Sequence, residues 1–136
     1  MCYERSGILS IDQVLGNPWN SSARYQTFRR SLRCIECGLL GLYFACERSK
    51  YQDTTKYHYN LYGIGPNGKE VILTKDHIIP KSRGGRNTVD NMQTMCKPCN
   101  ERKGNRLPWE NPYDRDKMNA SMPFLAHTTT AYTSSL

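Results

Sequence analysis

Residues 75–104 read KDHIIPKSRGGRNTVDNMQTMCKPCNERKG, and this stretch brings acidic, histidine, glycine and cysteine motifs close together. It opens on the adjacent pair Asp76-His77 and passes through a glycine pair. It ends in a Cys-x-x-Cys motif that Asn100 and Lys103 follow. Histidine and aspartate transfer protons and bind cations, and paired cysteines bind metal ions. The stretch therefore predicts both a reactive site and a metal site.

A second Cys-x-x-Cys motif lies upstream, so that Cys34 and Cys37 match Cys96 and Cys99. Two residues between cysteines let both thiolates turn toward one ion, and two such pairs complete a tetrahedron. The alternatives are two redox motifs or unrelated buried cysteines, and redox motifs rarely come twice in so short a chain. We predict a closed structural zinc site that supports folding and leaves the chemistry to other residues. Cys2 and Cys46 are expected to bind no metal.

The composition indicates one small, basic domain. The chain has 136 residues, 19 Lys plus Arg, 12 Asp plus Glu and a net charge of +7. A basic surplus on so small a body suggests an anionic partner, most simply nucleic acid. The chain shows no signal-peptide pattern and no apolar run long enough for a membrane span. We therefore expect a cytoplasmic protein with reduced thiols and no membrane partner.

Local patterns predict helices at the start and strands in the middle of the chain. Ser10 can cap a short turn, and Tyr25, Phe28 and Leu32 share one face of a following helix. The arginines of that helix form either a solvated face or a backbone-contacting one. Apolar and β-branched runs predict strands at 39–45, 57–63, 71–74 and 92–95, with a hairpin turn at 65–68 and a helix from Pro98. The tail from 108 is expected to be loosely ordered, with a possible short helix at 111–119.

These motifs together resemble the HNH endonuclease family. The positions that carry the resemblance are Asp76-His77, Gly84-Gly85, Asn91, Cys96, Cys99, Asn100 and Lys103, and the match spans 34–104, about half of the chain. It implies an α+β fold, namely a small zinc-stabilised ββα-metal domain at 34–107. The chain would then have an N-terminal helical extension at 1–33 and a loose C-terminal tail at 108–136. Small members of the family occur in phage genomes, and for a phage-encoded chain the expected compartment is the host cytoplasm.

The resemblance also implies roles for single residues. His77 would be the general base that takes a proton from the attacking water. Asp76 and Asn100 would bind one catalytic divalent cation, Mg²⁺ or Mn²⁺, and Asn at the last position favours a hard, oxygen-liganded ion. Asn91 would hold the loop so that a main-chain carbonyl fixes the tautomer of His77.

Basic side chains around the glycine loop and the last helix are the predicted DNA contacts: Lys81, Arg83, Arg86, Lys103 and Arg106. The resemblance favours DNA over RNA, and a homodimer or a larger phage or restriction complex is possible. The predicted activity is metal-dependent hydrolysis of DNA phosphodiester bonds, as a nick or a double-strand cut. The alternatives are a non-catalytic zinc-stabilised nucleic-acid-binding module and, less favoured, a protein adaptor that uses Trp19 and Trp109.

One detail resists the simplest form of this hypothesis. Asp76 and His77 are adjacent, and adjacent residues of a strand point to opposite faces. Both can serve one site only where the strand ends or twists. Pro80 follows three residues later, so we predict that the strand ends here.

Overall fold

The computed structural model describes residues 3–51 and 56–110 of the chain. Five antiparallel strands lie in the sheet in chain order, so that each strand pairs with the next one. The elements are β1 (Tyr3–Leu9), α1 (Ile11–Leu15), α2 (Ala23–Arg30), β2 (Tyr43–Ser49), β3 (His58–Ile64), β4 (Glu70–His77), β5 (Met92–Cys96) and α3 (Lys97–Lys103), with 3-10 turns at Lys81–Arg83, Val89–Asn91 and Pro108–Glu110. This is a small α+β fold, as predicted. The predicted tail from residue 111 onward, His127 and Cys2 lie outside the described residues.

The predicted hairpin joins β3 to β4. The Gly65 N–H donates to the Lys69 carbonyl over 2.8 Å, and Gly68 adopts a φ of +80°, which L side chains rarely tolerate. β4 extends beyond the β-branched run at 71–74 to His77, because it also pairs with β5 through residues 73–77. β4, β5 and α3 thus form a consecutive strand–strand–helix unit.

The N-terminal prediction was wrong for its first residues. The extension at 1–33 was predicted to be helical, whereas Tyr3–Leu9 form β1 and pair with β2. The alternation of half-buried and exposed side chains along β1 is the period of two that a strand imposes. The predicted boundary at residue 33 consequently separates β1 from β2, although these two strands pair in one sheet. The domain limits stay predictions.

Two other local predictions fared differently. Ser10 does cap α1: its Oγ accepts from the Gln13 N–H over 3.2 Å, and the Gln13 side chain accepts from the Ser10 N–H over 2.8 Å. The strand predicted at 39–45 instead begins at Tyr43 as β2. The residues just before β2 instead form the second half of the turn that begins at Cys34. The Leu39 carbonyl accepts from the Cys34 N–H, and the Gly41 N–H donates to the Leu32 carbonyl.

A single apolar core lies between α1, α2 and the sheet. Phe28 of α2 is fully buried, and its ring lies 6.0 Å from that of Phe44 on β2. Tyr25 adds an edge contact to Phe44, and Leu32 packs against the same core. The predicted apolar face of α2 is therefore the face that packs on the sheet.

The arginines of α2 and the turn after it contact the protein's own chain. Arg24 donates to Asn60, Arg29 to the carbonyls of Leu15 and Asn17, Arg30 to the Val89 carbonyl and Arg33 to the Gly38 carbonyl. Each of these bonds spans two elements or closes a turn. The contacts favour a structural role over a nucleic-acid-contacting role for this helix.

No helix within 3–51 and 56–110 has the length and apolar character that crossing a membrane requires.

A buried carboxylate ties β1, β2 and β3 together. Glu47 is fully buried, and its two oxygens accept from Arg5 Nε (2.7 Å), Asn60 Nδ2 (2.8 Å) and the Tyr62 hydroxyl (2.6 Å). Burial and the bond to Glu47 both raise the pKa of Tyr62. All three donors converge on one carboxylate, so Glu47 is the centre of the network, and Arg5 extends it to Glu70.

Replacing Glu47 with alanine is expected to lower the free energy of unfolding by about 3–5 kcal/mol, because the buried Asn60 amide and the buried Tyr62 hydroxyl lose their acceptor and the half-buried Arg5 loses one of its two carboxylate partners. Urea unfolding of zinc-loaded protein measures this loss. Glu4→Ala is the matched control, since Glu4 forms an ion pair with Arg48 at the surface and should cost less than about 1 kcal/mol. Equal losses in the two variants would contradict a central role for Glu47.

Candidate functional site

The four cysteines of the two Cys-x-x-Cys motifs meet in one cluster. The sulfur atoms of Cys34, Cys37, Cys96 and Cys99 all lie within 4.8 Å of one another, and Cys37 Sγ lies 3.8 Å from Cys96 Sγ. A tetrahedral site with Zn–S bonds of about 2.3 Å places its sulfurs about 3.8 Å apart. The described cysteines are all free thiols, which leaves the sulfurs available as ligands. The cluster could hold a metal ion such as zinc, as the spacing predicts.

Short turns aim the two pairs of sulfurs at each other. The Gly38 N–H donates to the Cys34 carbonyl over 2.9 Å, and Gly38 has a φ of +80°, which closes the turn behind Cys37. The Ile35 N–H donates to the Thr94 carbonyl on β5, which docks this turn beside the second pair. Cys96 stands at the end of β5, where α3 begins.

The electrostatics of the cluster favour a bound cation. Burial raises the pKa of Cys96 and of Cys99. Burial also opposes ionisation of Cys34, but backbone N–H donors, led by those of Cys37 and Cys96, outweigh it and lower the pKa to about 7. One thiolate is thus readily formed, while further thiolates need a positive charge beside them. Arg102 Nη2, 3.1 Å from Cys99 Sγ, supplies part of that charge.

Cys37→Ser should lose bound zinc, because it removes one of four ligands. Loss of an outer-shell partner already costs about 10–100-fold in metal affinity, so removal of a ligand should cost more than about 100-fold. Competition with a chelator, read by metal analysis, measures the affinity. Cys46→Ser is the matched control, since Cys46 lies outside the cluster and should keep full zinc content. Zinc retention by Cys37→Ser equal to that of Cys46→Ser would contradict the four-sulfur site.

β4 ends at His77, as the sequence predicts. Asp76 is buried on the side of the sheet that α3 covers, where its Oδ2 accepts from Gln93 Nε2 over 2.9 Å. Lys103 Nζ on α3 lies 3.3 Å from the same oxygen and donates to the His77 carbonyl over 2.9 Å. One lysine therefore contacts both residues of the Asp-His pair.

The His77 ring is partly exposed and faces the loop that follows β4. Its Nε2 lies 3.0 Å from Oδ1 of Asn87. A carbonyl oxygen of an amide only accepts hydrogen bonds, so this contact requires a proton on Nε2 and leaves Nδ1 with the free lone pair. The partner that orients His77 is therefore a side chain of the loop, whereas a main-chain carbonyl was expected.

Asn91 closes the loop at its base. Its Oδ1 accepts from the Ile79 N–H over 2.9 Å, and its Nδ2 donates to the carbonyls of Ile79 (3.0 Å) and Arg86 (2.8 Å). Gly85 makes this closure possible, because a Cβ there would lie 1.7 Å from the Ile79 carbonyl oxygen. Gly84, with a φ of +92°, turns the chain just before it. These contacts give Asn91 the loop-holding geometry that the resemblance implies.

Asn91→Asp should destabilise the folded protein by about 1–3 kcal/mol. A carboxylate keeps the acceptor for Ile79 but cannot donate to the two carbonyls, which then face a negative charge. Asn105→Asp makes the same charge change at an exposed position and should be nearly neutral. Chemical unfolding of both variants provides the comparison. A neutral Asn91→Asp would show that the loop closes by other means.

Asn100 on α3 contacts the face of β4 that also carries Asp76. Asn100 Nδ2 donates to Thr74 Oγ1 over 2.9 Å, and Thr74 and Asp76 lie two residues apart on one face of β4. Asn100 and Lys103 lie three residues apart on α3, so they share a helical face. The structure thus brings Asp76, Asn100 and Lys103 together, with the His77 ring and Asn91 on the loop side.

The five predicted DNA-contacting cations divide into two groups. Lys81 and Arg86 are exposed on the glycine loop, and their side chains form no hydrogen bond or ion pair with any described residue. Arg83 donates hydrogen bonds from Nη1 and Nη2 to the Glu110 carboxylate. This pairing raises the pKa of Arg83 and lowers the pKa of Glu110. Lys103 is buried against Asp76, and Arg106 donates to the Arg102 carbonyl.

Sequence reasoning missed several contacts around these residues. Asn87 orients His77, Gln93 bonds Asp76, and Glu110 ties down Arg83. Gln93 could have been found from the β4–β5 register, in which it is the direct partner of Asp76. Asn87 and Glu110 had no such signal, since both contacts depend on the path of irregular segments.

The strand–strand–helix unit also has a match among known families. Residues 66–111 match the family model described as HNH endonuclease. No curated protein and no solved structure matches the chain. The match covers β4, the glycine loop, β5 and α3, which carry Asp76, His77, Asn91 and Asn100. The resemblance inferred from the motifs is confirmed over residues 66–111, which match the HNH endonuclease family model.

Proposed function

We propose that the protein is a metal-dependent endonuclease that hydrolyses DNA phosphodiester bonds. The observation that carries the proposal is that α3 packs on the face of β4 that carries Asp76, with Asn100 on Thr74 and Lys103 on Asp76, while His77 ends the same strand. All three lie within the segment that matches the HNH endonuclease model. The surrounding unit corresponds to a ββα-metal domain with structural zinc on the four cysteines. We place the catalytic unit at 34–107, flanked by 1–33 and 108–136.

His77 is the proposed general base. Asn87 Oδ1 accepts a hydrogen bond from Nε2–H, so Nδ1 is the nitrogen that can take a proton from water. Asn91 keeps the loop closed, and the loop carries Asn87. A water held at Nδ1 would give a proton to the ring and attack the phosphorus, and the bond from phosphorus to the leaving sugar oxygen would break.

Asp76 and Asn100 are the proposed ligands of the catalytic cation. A carboxylate and an amide oxygen suit a hard ion such as Mg²⁺ or Mn²⁺. When bound, such a cation stabilises negative charge on the phosphate and on the leaving oxygen. Asn100 Nδ2 donates to Thr74, which directs Oδ1, the oxygen that can bind a metal, away from Thr74.

Lys81 and Arg86 are the strongest candidates for contact with the DNA backbone, because both are exposed and unpaired within the described residues. They lie on the loop that carries Asn87, which brings their charge near His77. With a net charge of +7, binding should be largely electrostatic and should weaken steeply with salt.

His77→Ala should reduce cleavage by about 10²–10⁴-fold, because it removes the group that accepts the proton. Plasmid nicking by zinc-loaded protein with Mg²⁺ or Mn²⁺ measures the rate. His58→Ala is the matched control, since His58 is exposed on β3 and should leave the rate unchanged. Cleavage that survives His77→Ala would contradict the mechanism. Binding of DNA without any cleavage by the unaltered protein would instead favour the non-catalytic module.

A further inference from the structure

Lys103 occupies an unusual position for a basic residue on a DNA-binding domain. It stands in the last turn of α3, and its side chain is 8% exposed. Lysine is among the residues least often buried, and a buried ammonium needs partners. Lys103 Nζ finds them in the Asp76 carboxylate at 3.3 Å and the His77 carbonyl at 2.9 Å.

The pair stands in the gap where the proposed cation would bind. Asp76 is itself 8% exposed, so its charge is also removed from water. Its Oδ2 is shared by Gln93 and Lys103, and its Oδ1 accepts no hydrogen bond from the described residues. A divalent cation on Asp76 would therefore share one carboxylate with an ammonium group. Like charges at such a distance in a poorly solvated site repel strongly.

We propose that Lys103 is an internal competitor of the divalent cation: it neutralises Asp76 in the metal-free protein and opposes metal binding until it is displaced. This inference rests on the proposed cation site at Asp76 and Asn100. It makes Lys103 a positioning residue that sets the affinity and the threshold concentration for the cation. It also assigns a function to the buried lysine other than the phosphate contact that its charge suggests.

Lys103 has a second function within the same arrangement. In the metal-free protein it prevents an unpaired buried carboxylate, which would destabilise the fold. Through its bond to the His77 carbonyl it also ties the last turn of α3 to the end of β4. Removing the charge of Lys103 should lower the free energy of unfolding of the metal-free protein. The same change should increase the affinity for the divalent cation. A purely structural lysine would lower stability without tightening metal binding.

The test measures Mn²⁺ binding to the zinc-loaded full chain in the absence of DNA, by electron paramagnetic resonance of the free ion. Lys103→Met and Lys103→Gln both remove the charge, and glutamine retains a donor for the His77 carbonyl. Lys97→Met is the matched control, because Lys97 is exposed at the start of the same helix and the net charge changes equally. We expect both Lys103 variants to bind Mn²⁺ at least about tenfold more tightly than Lys97→Met. Asp76→Asn combined with Lys103→Gln should abolish this gain.

The other outcomes separate the two proposals. If Lys97→Met and the unaltered protein bind Mn²⁺ and the folded Lys103 variants bind it no more tightly, the role of Lys103 is overturned and the proposed cation site stands. If no variant binds Mn²⁺ beyond the zinc site, both are overturned. Should Lys103→Met not fold, Lys103→Gln decides the question. Thermal unfolding with and without Mn²⁺ is the second readout, and the ion should stabilise the Lys103 variants more than Lys97→Met.

Discussion

The four-sulfur cluster is the constraint on which the rest of the site depends. It joins a turn near residue 35 to the point where β5 ends and α3 begins. α3 has only seven residues, and helices of that length are marginal in water without external contacts. A metal ion on the cluster would hold the first turn of α3 against the sheet. The same helix carries Asn100 and Lys103, so their place opposite β4 follows from that attachment.

The site also depends on an interruption in regular structure. β4 and β5 are paired, but the chain between them is long and contains two glycines in a tight loop. Asn91 closes this loop by three hydrogen bonds, and the closed loop brings Asn87 to His77. The adjacent Asp76 and His77 can then face different partners, one under α3 and the other under the loop. A regular two-residue hairpin would offer neither arrangement.

Charge near the site has two distinct uses. Two basic side chains on the loop, Lys81 and Arg86, remain exposed, whereas Arg83 and Lys103 have carboxylate partners in the protein itself. Arg83 fastens the loop to the 3-10 turn after α3 through Glu110. Lys103 neutralises Asp76. The sequence alone does not distinguish these basic residues. In the folded protein, Lys81 and Arg86 are available for binding, whereas Arg83 and Lys103 stabilise the structure.

The amino-acid sequence by itself determined the cysteine cluster, the β3–β4 hairpin, the short helix from Pro98 and the family of the unit, because each depends on local spacing or on turn chemistry. It misjudged Tyr3–Leu9, since a strand at a sheet edge is specified by its partner as much as by its own residues. Only the tertiary structure decided that Lys103 faces Asp76 and that Asn87 orients His77. Such contacts join residues on different elements, and the path of the loop and the docking of α3 set them at distances that no local pattern encodes.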